Sequence, residues 1–182
     1  MDQSGAQTGM TSTKTGMDGP KPEYPDQDQI AAYGAISFLY MRAAKYDRIA
    51  LSDIRLLIQP PVDLRFYHVR NIEGVPRAAI TWAFLSPEAE AKLINGQMIA
   101  PRDWASGKQA WIMELIAPYP GSNLGARLTK TFLKTLGPDH LTARFPRFAS
   151  PGVLKHVTEF RRDGPDRWTS HRIPAREFDT IS

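Results

Sequence analysis

Hydrophobic side chains recur along this chain with two different periods, one typical of helices and one typical of strands. After residue 28 they first follow one helical face, and shorter segments then alternate at every second position. Proline and glycine separate these segments. The elements predicted in the first half are a helix over 29–45, a short turn over 54–58 that Ser52-Asp53 caps and Pro60-Pro61 stops, and strands over 64–70 and 76–85 joined at Glu73-Gly74.

The second half of the chain contains clearer helix signals. Ser86 at a cap position, followed by Pro87 and two acidic residues, predicts a helix that ends at Asn95-Gly96. The last dozen residues give no clear signal. The remaining predicted elements are a strand over 110–117, a helix with the core stripe Leu124, Leu128, Phe132 and Leu136, and strands over 142–148 and 155–161.

The order of these elements predicts an α+β single domain, with a mostly antiparallel sheet flanked by helices. A chain of 182 residues has room for one such domain. Residues 1–27 are rich in polar residues, glycine and proline, and contain few large apolar side chains. We therefore predict a disordered tail over 1–27 and a folded domain over 28–182.

Composition narrows the classes of protein to which the chain can belong. With 42% hydrophobic and 23% charged residues it has the balance of a soluble protein, and stable membrane insertion is not expected. The absence of cysteine excludes thiolate chemistry and, with a polar N-terminal segment, favours the cytoplasm. The net charge of +4 favours an acidic partner, but without a dense basic block nucleic acid is not expected.

Two residue types that often carry catalysis have no suitable context here. The four histidines are scattered without the spacing of metal ligands, so no metal site is expected. Ser106 lacks the surroundings of a hydrolase nucleophile and is interpreted as a turn residue beside Gly107.

The apolar strand predicted over 110–117 contains one carboxylate, Glu114. A charged side chain in a strand that is otherwise buried is costly unless it is paired or used in chemistry. A partly desolvated carboxylate can accept a proton from an amine, so Glu114 is a candidate general base. The alternative is a buried glutamate that pairs with an arginine such as Arg77 or Arg144.

Several motifs occur together in the middle of the chain. They are Trp82-Ala83 with Leu85-Ser86 and Glu88, then Asp103-Trp104 with Ser106-Gly107, then Trp111-Ile112 with Ile116-Ala117-Pro118. In this order and at these spacings they resemble the toxin-activating lysine acyltransferases, the partners of RTX hemolysins and cyclolysins. A weaker match extends from about Gly34 to Arg161 and includes Pro60 and Val157–Phe160, so the resemblance covers most of the predicted domain.

The resemblance implies a GNAT-like fold and a specific reaction. A fatty acyl group would pass from acyl carrier protein to an internal lysine of an RTX-type protein. The phosphopantetheine thioester of the acyl-acyl carrier protein would be the co-substrate, with no bound cofactor. The expected partners are therefore acyl carrier protein and the RTX-type acceptor, and a homodimer is left open.

The resemblance also implies a catalytic histidine and aspartate, and this chain departs from both. The aspartate falls on Glu114. The histidine, counted back fourteen residues from Pro60, falls on Tyr46, and a nearby serine falls on Ala43. Tyr46 is then a candidate general acid for the departing thiolate, although a phenol ordinarily has a pKa of about 10. The alternative is a packed tyrosine at a helix end.

Further residues are candidates for substrate binding. The loop with Gly121 and Gly125 loosely resembles a turn whose backbone amides bind the phosphate of pantetheine. Arg127, Lys130 and Lys134 fall on one helical face that would dock an acidic carrier protein, or would simply be solvated. Bulky aromatic residues suited to the core and to the wall of an acyl pocket are Trp82, Trp104 and Trp111.

Two other functions remain open at this point. Loss of both the histidine and the serine is what a non-catalytic descendant would show, kept to bind an acyl carrier or a partner protein. The retained carboxylate at Glu114 favours an enzyme. An acyltransferase with a small amine as acceptor is the third alternative.

Overall fold

The computed structural model describes residues 24–121 and 123–178. Its centre is a six-stranded sheet in which the strands lie in chain order, β1 to β6. Only β3 and β4 are parallel, and every other neighbouring pair is antiparallel. The α+β architecture predicted from the sequence is confirmed.

The helices and strands have the following bounds in chain order. They are α1 (Gln27–Arg42), α2 (Leu51–Asp63), β1 (Tyr67–Ile72), β2 (Val75–Leu85), α3 (Pro87–Ile94), β3 (Gln109–Ile116), α4 (Leu124–Thr135), β4 (Thr142–Ser150), β5 (Val153–Arg162), β6 (Trp168–Pro174) and α5 (Ala175–Phe178).

The first helix begins two residues before the predicted start. The side chain of Asp26 accepts a hydrogen bond from the backbone N–H of Gln29, and the side chain of Gln29 accepts one from the Asp26 N–H. The final residues of the predicted tail therefore form the cap and first turn of α1. Residues 1–23, the greater part of that tail, lie outside the described residues.

The predicted end of the second helical segment is wrong, because Pro60 and Pro61 lie inside α2 and do not stop it. Ala50 rather than Ser52 is the N-cap. Both prolines are buried in the last turn, where their carbonyls still accept hydrogen bonds. The backbone N–H of Leu64 donates to Pro60 O at 3.0 Å, which closes the helix despite the two missing donors.

The hairpin predicted at Glu73-Gly74 is confirmed. Glu73 has φ 52° and Gly74 has φ 77°, the left-handed conformation at both central positions that a tight two-residue turn requires. β1 begins at Tyr67, three residues after the predicted start at Leu64. The preceding residues still bond to α2, since the N–H of Phe66 donates to Pro61 O at 2.7 Å.

The helix predicted after Ser86 is also confirmed. The Ser86 hydroxyl accepts a hydrogen bond from the N–H of Ala89, and α3 is followed by Gly96 with φ 69°. The core stripe of α4 is buried as predicted, against the face of the sheet formed by Ala78, Ile80 and Trp82 of β2.

A ladder of only two residue pairs joins the parallel strands β3 and β4. Ala110 pairs with Ala143 and Trp111 pairs with Arg144, both near the beginnings of the strands. β3 continues to Ile116 and β4 to Ser150 without further pairing to each other. The two strands therefore separate toward their C-terminal ends, and α4, which connects them, begins at that wide end.

The C-terminal strand β6 and the short helix α5 were not predicted. β6 has mostly exposed side chains and no regular apolar alternation, so its pairing with β5 determines its structure. Phe178 of α5 is 1% exposed and packs edge-on against Trp111. Within the described residues, no helix has the length and apolar character needed to cross a membrane.

Candidate active site

A β-bulge in β3 determines where Glu114 points. Thr81 of β2 pairs with Glu114, but the next residue, Trp82, pairs with Ile112, so Met113 is an extra residue in the bulge. Ile112 and Leu115 pack on the α4 side of the sheet, whereas Glu114 shares the opposite face with Thr81. Strict alternation would have turned Glu114 into the α4 core. The bulge instead directs it toward α1.

Tyr46 reaches Glu114 from the end of the first helix. α1 ends at Arg42, and a single 3₁₀ turn over Ala44–Tyr46 brings the tyrosine back toward the sheet. The Tyr46 hydroxyl donates a hydrogen bond to Glu114 Oε2. Tyr46 and Glu114, the residues that the family resemblance aligned with the catalytic histidine and aspartate, are therefore in direct contact.

Lys45 is a third member of this group, and sequence reasoning missed it. Its Nζ lies 3.0 Å from Glu114 Oε2 and 4.6 Å from the centre of the Tyr46 ring. The Lys45 side chain is 62% exposed, whereas that of Glu114 is 16% exposed. Apart from its position beside Tyr46, nothing in the sequence distinguishes Lys45 from the other lysines.

The electrostatic environment keeps the Tyr46 hydroxyl protonated. Burial is the largest cause of a strongly raised Tyr46 pKa, and the negative charge of Glu114 adds to it. The pKa of Tyr40 is raised by the same two causes, and its ring lies 4.4 Å from that of Tyr46. Both phenols can therefore donate hydrogen bonds at neutral pH but do not carry charge.

Two buried hydroxyls near Glu114 have no hydrogen-bond partner among the described residues, the Tyr40 Oη and the Thr81 Oγ1. Thr81 is the direct cross-strand neighbour of Glu114. On β4, burial lowers the pKa of Arg147 and the charge of Glu114 opposes that effect. The carboxylate thus lies among donors on three elements.

The alternative of a glutamate satisfied by an arginine is not what the structure shows. Arg77 lies over the Tyr119 ring at 4.8 Å. Arg144 forms ion pairs with Glu90 and Glu159, both at 3.1 Å. No hydrogen bond or ion pair between either arginine and Glu114 is found in the described part of the chain, where Lys45 and Tyr46 take that place.

The three candidate tryptophans are buried in the core. Trp82 packs against Phe132 on the α4 side, at a centroid distance of 5.2 Å. Trp104 and Trp111 belong to the cluster around α3, and the Trp111 Nε1–H donates to Glu90 at 2.6 Å. A role in lining an acyl pocket stays a prediction for all three.

The Asp103–Gly107 motif is a structural turn. The Asp103 carboxylate accepts a hydrogen bond from the Ala100 N–H and pairs with Lys92 at 3.1 Å. Ser106 Oγ accepts from the Ser86 N–H, which agrees with its interpretation as a turn residue. A Cβ at Gly107 would lie 2.2 Å from the Leu85 carbonyl, so only glycine fits this crossing.

The start of α4 lies at the wide end of the gap between β3 and β4. Gly121 has φ 82° and the N-cap Asn123 has φ 48°, the Asn123 side chain makes no capping hydrogen bond, and the first turn of α4 contains no acidic residue. A Cβ at Gly125 would touch the Leu115 side chain at 3.4 Å, so the helix start packs closely on β3. Arg127, Lys130 and Lys134 are exposed along this helix.

Comparison of the sequence with known proteins identifies a family. The family model described as HlyC, RTX toxin acyltransferase family, matches residues 25–144, about two thirds of the chain. The chain belongs to the RTX toxin acyltransferase family. The matched region contains the whole Lys45–Tyr46–Glu114 group, and no group of residues suited to a metal ion occurs in the described ranges.

Individual members of the RTX toxin acyltransferase family are moderately similar. The protein-lysine myristoyltransferase RtxC of Kingella kingae is 31% identical over 108 residues, which are 59% of this chain and 63% of that protein. The lysine-acyltransferase RtxC of Vibrio cholerae serotype O1 is 32% identical over 88 residues, 47% of this chain and 58% of that protein. The leukotoxin-activating lysine-acyltransferase LktC serotype A1 of Mannheimia haemolytica is 27% identical over 100 residues, 54% of this chain and 60% of that protein. The chain spans about six tenths of the length of these curated relatives.

The raised Tyr46 pKa predicts how stability depends on pH. The phenol of an unfolded chain loses its proton near pH 10, whereas folded Tyr46 keeps it. The difference between the folded and unfolded pKa values of Tyr46 contributes to the free energy of unfolding. This contribution is fully present below pH 10 and is lost as the pH rises toward the folded pKa. Above pH 10, Tyr46→Phe should make the decline shallower, by up to about 1.4 kcal/mol per pH unit.

Urea unfolding at several pH values between about 9 and 11 measures this slope. Tyr24→Phe is the matched control, because Tyr24 is 76% exposed, and its slope should equal that of the unaltered protein. Equal slopes for Tyr46→Phe and the unaltered protein would show that the pKa of Tyr46 is not raised in solution.

Proposed function

We propose that this protein transfers a fatty acyl group from acyl carrier protein to a lysine of an RTX-type protein. The observation that carries the proposal is the contact of Glu114 with both a buried phenol and a lysine ammonium, in a chain of the RTX toxin acyltransferase family. Relatives of this chain are named for lysine acylation. The cytoplasm, where acyl carrier protein is found, is the proposed location.

Glu114 has the properties of a general base for a lysine acceptor. A lysine amine is protonated at neutral pH and must lose a proton to form an amide. The Lys45 ammonium at 3.0 Å shows that a lysine side chain fits against this carboxylate. A carboxylate at hydrogen-bonding distance can accept the proton as the bond to the acyl carbon forms.

We propose that Tyr46 orients Glu114 and does not protonate the leaving group. Its raised pKa makes the phenol a weaker acid than ordinary tyrosine, so proton transfer to a thiolate is less favourable. The hydrogen bond that Tyr46 donates fixes the orientation of the carboxylate, and Oε2, which accepts it, still has room for a lysine ammonium. This role differs from the general-acid role predicted from the sequence.

The separation of β3 from β4 is the proposed site for the phosphopantetheine arm. Beyond the two-pair ladder, the facing edges of both strands carry backbone groups that are not paired across this gap. Pantetheine contains two amide groups and can bond to such edges as an added strand does. The start of α4 lies at the wide end, and the backbone N–H groups of its first turn, which the Asn123 side chain does not cap, would hold the phosphate.

The exposed basic face of α4 is the proposed docking surface for the carrier. Arg127, Lys130 and Lys134 continue from the same helix start that would bind the phosphate. Charge complementarity with an acidic carrier would increase the rate of encounter and set the orientation of the arm.

A non-catalytic binding module is the second candidate function. It is favoured by one observation, namely that a phenol with a raised pKa stands at the position of the family's histidine and cannot act as that base. In that case the carrier would bind but no acyl group would reach any acceptor. An acyltransferase specific for small amines would instead modify free amines and spare the protein acceptor.

Replacement of Glu114 tests the catalytic proposal. Glu114→Gln keeps the shape of the side chain but removes the base, so the rate of acyl transfer should fall by roughly 10²–10⁴-fold. Glu114→Asp should lose less, because the carboxylate remains. The assay is transfer from acyl-acyl carrier protein to a co-expressed RTX-type protein, followed by intact mass.

Glu73→Gln is the matched control, since Glu73 is exposed in the β1–β2 turn and its removal should leave the rate unchanged. Full activity of Glu114→Gln would refute the base assignment. Carrier binding by the unaltered protein without transfer to protein or small amine would support the binding module instead.

Charge reversal on α4 tests the docking surface. Lys130→Glu with Lys134→Glu should weaken binding to acyl carrier protein at least tenfold, and added salt should weaken binding by the unaltered protein. Lys108→Glu with Lys155→Glu makes the same change of charge at two exposed lysines outside α4 and should have little effect. Equal losses for the two pairs would mean that net charge, rather than this face, attracts the carrier.

A further inference from the structure

Lys45 occupies the place that the proposed reaction assigns to the amine of an acceptor. Its Nζ lies 3.0 Å from Glu114 Oε2, on the same oxygen that accepts the Tyr46 hydrogen bond. We propose that Lys45 is itself an acyl acceptor, so that the protein acylates its own Lys45 side chain. This inference rests on the proposed acyltransferase function and adds a modification site within the chain.

Other lysines of the described residues do not share this arrangement. Lys92 pairs with Asp103, a carboxylate already used to cap a turn through the Ala100 N–H. No hydrogen bond or ion pair to a carboxylate is found for the remaining lysines in the ranges that the structure describes, Lys108, Lys130, Lys134 and Lys155. Among the lysines that the structure describes, only Lys45 therefore contacts the candidate base.

The local backbone holds Lys45 in a productive position. Lys45 lies in the 3₁₀ turn that fixes Tyr46, and its ammonium also contacts the Tyr46 ring. Two contacts restrict a long side chain that would otherwise sample many rotamers. A nucleophile held beside its base has a high effective concentration compared with an acceptor that arrives by diffusion.

The Lys45 side chain is also accessible, since 62% of it is exposed. A thioester can therefore reach the amine from solvent without unfolding the turn. Because the amine is on the solvent side of Glu114, the acyl chain added to it would lie across the entrance used by an outside acceptor.

The proposed step is a balanced acyl transfer. Lys45 loses one proton to solvent, and its neutral amine attacks the thioester carbonyl carbon of the acyl carrier protein. As the C–N bond forms, the nitrogen passes a second proton to Glu114. The C–S bond then breaks, and the leaving thiolate takes that proton from Glu114. The products are an amide at Lys45 and the free thiol of the carrier.

The test uses the full chain with myristoyl-acyl carrier protein as the probe. Without an acceptor protein, intact mass should show the addition of one acyl group, and peptide mapping should place it on Lys45. Lys45→Arg keeps the positive charge but should lose the modification. Lys155→Arg removes an exposed lysine with no such pairing and should keep it, while Glu114→Gln should slow it at least tenfold. Circular dichroism of each variant checks the fold.

Three outcomes would overturn the inference. Unmodified Lys45 together with acylation of a co-expressed RTX-type protein would refute self-acylation and leave the proposed function intact. Equal acylation of many exposed lysines, unchanged in Glu114→Gln, would show uncatalysed chemistry. If neither Lys45 nor the acceptor protein is acylated, the proposed function fails together with this inference.

Discussion

The bulge at Met113 is the constraint on which the candidate site depends. It turns Glu114 from the α4 core to the face of β3 that meets α1. In the α4 core the carboxylate would lie among apolar side chains such as Ile112 and Leu128, and a buried unpaired charge is strongly destabilising. A change of one residue in strand register thus makes the charge both tolerable and accessible.

The contacts around Glu114 differ in how much they contribute to stability. Lys45 is mostly exposed, and an exposed ion pair contributes about 0–1 kcal/mol. The buried Tyr46 hydrogen bond to a carboxylate is worth more, about 1.5–3 kcal/mol. Two buried hydroxyls beside Glu114, those of Tyr40 and Thr81, have no partner among the described residues. A buried hydroxyl without a partner is costly, so these two groups lower the net stability of this region.

Local patterns predicted most of the fold because capping and turn residues act over short distances. Ser86 and the Glu73-Gly74 turn were predicted for physical reasons that the structure confirms. The prediction that Pro60-Pro61 would stop the second helical segment was wrong. Both prolines are buried inside α2, and their carbonyls accept hydrogen bonds there. Glu114 stood out as a charge in an apolar strand, and Tyr46 through family resemblance. Lys45 could not be found, because its pairing depends on a bulge and a 3₁₀ turn that no local pattern encodes.

The central claim is that Tyr46 and Glu114 act as one unit in acyl transfer. A double-mutant cycle measures this most directly, using single-turnover rates for the unaltered protein, Tyr46→Phe, Glu114→Gln and the double variant. If the phenol acts through the carboxylate, the double variant should be about as slow as Glu114→Gln alone. Losses that multiply, so that the double variant is slower by the product of the single effects, would show independent roles and contradict the account.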